Sequence, residues 1–203
     1  ILGISYGETV SNIVNSSYQH DAQAITFVST VTSRGKSFII PNLTATLARL
    51  NKSVILVVTD YDESQKILNN FGVSIPQDKT DMLDVIERLN IHMRISKAID
   101  SKIIAELLEE AFLPIFADGN EMFQLLYTKK KVNVYDYVGT RGFYTIIDFL
   151  KHYYEFILID TPVKPLIFPE FSAISNVSDA VIIVSAMETN RDGLINTIDK
   201  FKK

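Results

Sequence analysis

The sequence predicts an α/β domain built on a doubly wound, mostly parallel sheet flanked by helices. Three observations predict it. Four short runs are apolar at almost every position, which suits strands buried on both faces. Amphipathic helical patterns separate those runs. Polar and acidic residues stand directly after the runs, where sheets of this type hold their ligands.

Residues 1–23 read as an N-terminal extension or helix, and 24–203 as one α/β domain that either lacks a C-terminal piece or is minimal. The first strand is 24–29, AITFVS. A helix follows over 37–50, with Leu43, Leu47 and Leu50 at helical spacing. Residues 53–59, SVILVVT, form the second strand. Segments 81–89 and 102–112 carry Leu, Ile and Val at i, i+3 and i+4 and read as helices. Segment 142–154 sets Ile146, Ile147, Phe149 and Leu150 on one side. Residues 156–159 (FILI) and 180–185 (AVIIVS) are further strands, and a helix over 189–201 closes the chain. Weaker strands are expected at 90–95 and 122–128, and the stretch 119–141 has the least pattern.

Composition narrows the function classes. The chain has 203 residues, of which 47% are hydrophobic and 22% charged, so it is globular rather than disordered. The net charge of −4 provides no general field for nucleic acid, and DNA is not a favoured partner. With no cysteine, disulfides and thiol catalysis are excluded, which suits a reducing cytoplasm. His20, His92 and His152 have no ligand spacing, which argues against structural zinc. No apolar run approaches the ~18 residues of a membrane span.

After the first strand comes Thr30-Val31-Thr32-Ser33-Arg34-Gly35-Lys36-Ser37, then a helix. Gly35-Lys36-Ser37 completes the G-x-x-x-x-G-K-[ST] phosphate-binding pattern, with Thr30 in place of its first glycine. Backbone amides of Thr32, Ser33, Arg34 and Gly35, with Phe38 just beyond, would line the phosphates. Lys36 would reach the β- and γ-phosphates, and Ser37 would bind Mg²⁺. The second strand runs into Thr59-Asp60-Tyr61-Asp62, and the third into Ile159-Asp160-Thr161-Pro162. Carboxylates at strand ends suit Mg²⁺ ligation or water activation. Read alone, each is an ordinary turn, and Asp62 would cap the next helix. Tyr135, Tyr137, Tyr153 and Tyr154 read as half-buried packing residues. Lys129–Lys131 reads as a solvated turn.

In the order G-K-S, D-Y-D and I-D-T-P, the chain resembles the deviant Walker-motif P-loop ATPases of the MinD/ParA superfamily. Its motifs are most similar to the bacterial capsular tyrosine-kinase branch, whose Walker B often reads I-I-D-T-P-P. Asn42-Leu43 also matches a segment common in this group. The resemblance implies ATP and Mg²⁺ as cofactors. It implies Lys36, Asp60 and Asp62 as catalytic residues, and Ser37, Asp60 and Asp160 at the metal. Several positions depart from the pattern. Val31 stands where partition ATPases carry a signature lysine, Ser33 where a loop glycine is expected, and Phe38 where a small hydroxyl residue is usual. Glu8 is followed by Ser11 and Val14 instead of the arginines of the kinase branch, and the sequence ends at Lys203 without a tyrosine cluster.

Three functions follow from these residues. The first is a Mg²⁺-dependent ATP-binding protein, a slow ATPase that recruits or positions an assembly such as an envelope polysaccharide, secretion or pilus, division or plasmid-partition system. A capsular-type tyrosine kinase would use the same residues, and a non-catalytic docking domain would keep only the fold. The expected partners are ATP and another protein, with homo-oligomerisation an option. The expected location is cytoplasmic, or peripheral at the inner face of a membrane.

Overall fold

A computed structural model describes residues 2–29, 35–76, 78–96, 98–117, 119–162, 168–184, 195, 198 and 199. Its elements run α1 (Leu2–His20), β1 (Ala24–Ser29), α2 (Lys36–Arg49), β2 (Val54–Val58), α3 (Tyr61–Asn70), α4 (Met82–Ile95), α5 (Ser101–Ala111), β3 (Leu113–Ala117), β4 (Asn120–Leu126), α6 (Tyr135–Val138), α7 (Arg141–Leu150), β5 (Phe156–Asp160), α8 (Phe168–Val177) and β6 (Ala180–Val184). Six strands form one sheet in the order β3-β4-β2-β5-β1-β6. All neighbours pair parallel except β3 and β4, which are antiparallel.

Alternation along the central strands makes two cores. Ile55, Val57, Ile157 and Ile159 face α4, α5 and α7 on one side. Ile25, Phe27, Leu56, Val58, Phe156 and Leu158 face α1, α2 and α3 on the other. Every residue of β1, β2 and β5 is buried, as expected of strands covered on both faces. This places the carboxyl ends of β1, β2 and β5 side by side at one rim.

Short polar residues set where the helices begin. Asp81 and Asp84 form a capping box at α4. Asp100 caps α5 through the Lys102 amide, and Thr140 caps α7 through the Phe143 amide. The expected strand over 90–95 is instead the last part of α4. Val85, Ile86 and Leu89 bury the inner face of that helix, and this periodicity carries Asn90–Ile95 along with it. The strand expected over 122–128 is β4, shifted towards the N-terminus. Its partner β3 has no forecast, because Pro114 disguises the run LPIFA. Proline is tolerated there because β3 is an edge strand. Gly119, at φ 80°, provides the left-handed backbone next to the β3–β4 connection. Ser185 and most of the helix expected over 189–201 lie outside the described residues.

Asp179 closes the sheet where β1 meets β6. Its Oδ2 accepts from the amides of Gln23 at 3.0 Å and Ala24 at 2.8 Å, and its Oδ1 pairs with Lys151 at 2.6 Å. Partial burial raises the carboxyl's pKa, but Lys151 and the two amides outweigh it and hold the group below its ordinary value. A carboxylate with a lowered folded pKa stabilises the fold above the unfolded pKa of about 4, and the contribution fades as pH falls through the folded value. Asp179→Asn is therefore expected to lose about 1 kcal/mol at pH 7 and much less near pH 3. Urea melts at both pH values check this, and equal losses would contradict it.

Candidate functional site

The site grows from the ends of β1, β2 and β5. Lys36 opens α2, and its side chain is wholly buried. Its Nζ donates to Asp160 Oδ1 and to the Thr161 carbonyl. Asp160 is the last residue of β5 and is also fully buried. Its second oxygen, Oδ2, has no hydrogen-bond partner among the described residues. Burial pushes the Asp160 carboxyl up to about 6, against the pull of the Lys36 ammonium. A buried polar atom left unpaired is costly and calls for a partner, whether water, an ion or a ligand.

Backbone ties keep these groups in place. Thr59 donates its amide at 3.0 Å and its hydroxyl at 2.8 Å to the Asp160 carbonyl. The Thr161 hydroxyl donates to the Phe27 carbonyl at 2.8 Å. Tyr137 reaches across from α6 and donates its hydroxyl to the Thr59 carbonyl. The three strand ends are thus joined into one rigid rim.

Ser37 is buried at the first turn of α2, and its hydroxyl donates to Glu63 Oε2. Gly35 precedes the helix and contributes no side-chain cap, and its carbonyl accepts from the Phe38 amide at 3.1 Å and the Ile39 amide at 2.9 Å. Asp60 caps α3 by accepting from the Glu63 amide at 3.1 Å. The sequence reading gave the capping role to Asp62; the structure gives it to Asp60, because Asp60 holds the extended backbone of an N-cap at φ −114°, ψ 138°. Asp62 sits one turn position further round. Its side chain is 55% exposed and pairs with Lys131 at 3.3 Å. Phe38 is half exposed, and Asn42 donates to its carbonyl at 2.7 Å. Thr32, Ser33 and Arg34, with Thr30 and Val31, lie outside the described residues.

Of the expected site residues, the structure brings Lys36, Ser37 and Asp160 into one buried cluster, with Asp60 at its edge. Asp62 makes no hydrogen bond to any of them among the described residues. Glu63 joins the cluster without having been foreseen. The signal was present in the spacing, since Glu63 and Ile67 are one turn apart and both buried, whereas Asp62 shares the outer face with Lys66. The Lys129–Lys131 turn is not a free basic patch, because Lys129 and Lys130 pair with Asp84 and Lys131 with Asp62. Tyr137 is buried, Tyr135 and Tyr154 are half-buried, and Tyr153 is 62% exposed beside Phe149.

Among the described residues no group of three or more His, Asp and Glu could cage a metal unaided, and no helix is long and apolar enough to cross a membrane. No protein-family model and no curated protein matches the sequence. Solved structures do. The kinase domain of VpsO is 17% identical, with 98% of this chain and 90% of that one aligned at a TM-score of 0.69. The kinase domain of the Escherichia coli tyrosine kinase ETK is 12% identical over 95% of this chain and 67% of that one, at 0.71. The cobyrinic acid a,c-diamide synthase of Mycobacterium smegmatis, solved with an ATP analogue and magnesium, is 13% identical over 89% and 67%, at 0.58. The strand order, the helices on both faces and these likenesses together give the chain the α/β fold of P-loop nucleoside triphosphatases, shared with those kinase domains and that synthase.

Proposed function

We propose that this chain binds Mg²⁺-ATP and acts as a slow ATPase, a nucleotide switch that recruits or positions a protein assembly. One observation carries the reading: a wholly buried Lys36–Asp160 pair beneath the start of α2, with Asp160 Oδ2 unpartnered among the described residues. Keeping an ion pair there is expensive for a protein that needs only its fold. A nucleotide explains the arrangement, because phosphates give Lys36 a second anion and Mg²⁺ gives Asp160 Oδ2 a partner.

The residues fit such a group. Mg²⁺ takes oxygen ligands, and in nucleotide sites it uses one or two protein groups beside the phosphates. The Ser37 hydroxyl and the Asp160 carboxylate are of that kind, and Asp60 is close enough to influence the Asp160 charge. When bound, the ion would offset phosphate charge. Gly35 and the start of α2, with Phe38 in its first turn, would hold the phosphates, as would Thr32, Ser33 and Arg34 in the preceding segment. Asp60 is better placed than Asp62 to orient an attacking water, since Asp62 is turned to Lys131. The lack of a guanine-specifying N-K-x-D segment favours adenine.

The high similarity scores with two kinase domains favour a second reading, phosphoryl transfer to a tyrosine by the same residues. The assembly partner, self-association and a peripheral place at the inner face of a membrane belong to the same proposal.

A thermal melt with and without Mg²⁺-ATP tests it. Ligand at a hundred times its Kd is expected to add about 2.7 kcal/mol to stability. Ser37→Ala should shift the Mg²⁺-dependent part to higher Mg²⁺ and keep the part seen with ATP in chelator. Free phosphate released on incubation would identify the ATPase, and label on tyrosine the kinase. No stabilisation at millimolar Mg²⁺-ATP would leave the docking-domain reading in possession.

A further inference from the structure

Glu63 is a carboxylate that a surface helix has no reason to bury. It occupies the third position of α3, and its side chain is only 3% exposed. An isolated buried carboxylate is strongly disfavoured unless something compensates its charge. Two groups meet it. Lys66 donates to Oε1 at 2.7 Å from a side chain that is itself 56% exposed. Ser37, from a different helix, donates its hydroxyl to Oε2. Glu63 also lies near enough to Asp160 to raise that carboxyl's pKa by like charge. Among the described residues, the charged side chains buried at this rim are Asp160, Glu63 and Lys36, with Lys66 reaching Glu63 from its exposed side, and Asp160 Oδ2 has no partner. That unpartnered carboxylate oxygen is what a divalent cation would meet.

The direction of the Ser37–Glu63 bond matters. A hydroxyl has one proton and two lone pairs. Its proton is committed to Glu63, so the lone pairs are left for a metal. A carboxylate that accepts from a ligand in this way fixes its orientation and increases its donor strength. Resting on the Mg²⁺-nucleotide reading above, we propose that Glu63 is the positioning residue of the magnesium site, orienting the Ser37 hydroxyl through a buried hydrogen bond. Asp62, the second carboxylate of the D-Y-D segment, is turned outward to Lys131 and does not share this task.

The test is a Mg²⁺ titration at fixed ATP, read as thermal stabilisation and by calorimetry, on native protein and Glu63→Gln. Glu63→Gln is expected to raise the half-saturating Mg²⁺ concentration about 10-fold. ATP binding in chelator should stay unchanged, which a merely structural defect would not spare. In a Ser37→Ala background the same substitution should add nothing, because the effect passes through that hydroxyl. A native protein with no Mg²⁺-ATP response would sink the nucleotide reading itself. A responsive native protein with an unmoved Glu63→Gln titration, or with fully additive effects, would overturn this proposal alone. Should Glu63→Gln fail to fold, Lys66→Met reports on the same carboxylate from its exposed side. Removing that positive charge should lower the half-saturating Mg²⁺ about two-fold, and an unchanged value would count against Glu63.

Discussion

Replacing Lys36 with Met is expected to abolish stabilisation by Mg²⁺-ATP and to destabilise the ligand-free protein by about 3–5 kcal/mol. The two effects have separate causes. Lys36 is the buried cation proposed to meet the phosphates, so its loss removes nucleotide binding. It is also the partner of Asp160, whose carboxyl is fully buried and already pushed up to about 6. Without Lys36 that carboxylate must either remain charged without compensation or take up a proton, and both are unfavourable. The melting temperature should fall by about 10 °C at this chain length. The double variant Lys36→Met/Asp160→Asn removes both charges and should recover more than half of the lost stability while remaining unable to bind nucleotide. Melts of the three proteins, with and without Mg²⁺-ATP, decide the matter. A Lys36→Met protein as stable as native would show that the pair does not hold the rim. A double variant no better than the single one would show that the buried charge is not the cause.

Adding a single methyl at Gly142 is expected to cost about 2–3 kcal/mol, although the residue is not one of the candidate site residues. Gly142 lies in the first turn of α7, where that helix packs closely on α4. A Cβ there would sit 2.8 Å from the Ile86 carbonyl and 2.9 Å from Asn90 Oδ1. The Gly142 amide donates to the same Asn90 oxygen at 2.9 Å, so the helices cannot separate without giving up that bond. The backbone carbonyl of α4 cannot turn aside as a flexible side chain would. Gly142→Ala should therefore lower the melting temperature by about 5–10 °C. Adding Asn90→Ala relieves the side-chain clash but not the carbonyl clash, and should recover only part of the loss. Full recovery would show that the carbonyl is not the obstacle, and an unaltered melt of Gly142→Ala would show that α4 and α7 are loosely packed.

The sheet centre was the most legible part of the sequence. Strands β1, β2 and β5 are apolar at nearly every position because both of their faces are covered, and that pattern survives without any knowledge of neighbours. Helices α2, α4, α5 and α7 were recognisable from one apolar stripe each. The sheet margin was harder to read. β3 contains Pro114, and its identity as an edge strand depends on pairing with β4, which the local sequence does not express. The end of α4 was mistaken for a strand because Asn90–Ile95 mixes β-branched and polar residues, while the turns before it commit the helix.

The site divides along the same line. Gly35-Lys36-Ser37 after β1 and Asp160 after β5 are local motifs, so the residue order alone placed them at the strand ends. Which carboxylate faces them is a matter of rotation about α3. One residue turns a helix by about 100°, enough to send Asp62 to Lys131 and Glu63 to Ser37. Side-chain chemistry at strand ends is written in the sequence because it needs only the strand and the turn after it. The burial of the Lys36–Asp160 pair, the unmet oxygen on Asp160 and the inward turn of Glu63 were decided by tertiary structure, because each depends on elements far apart in the chain closing over one another and excluding water.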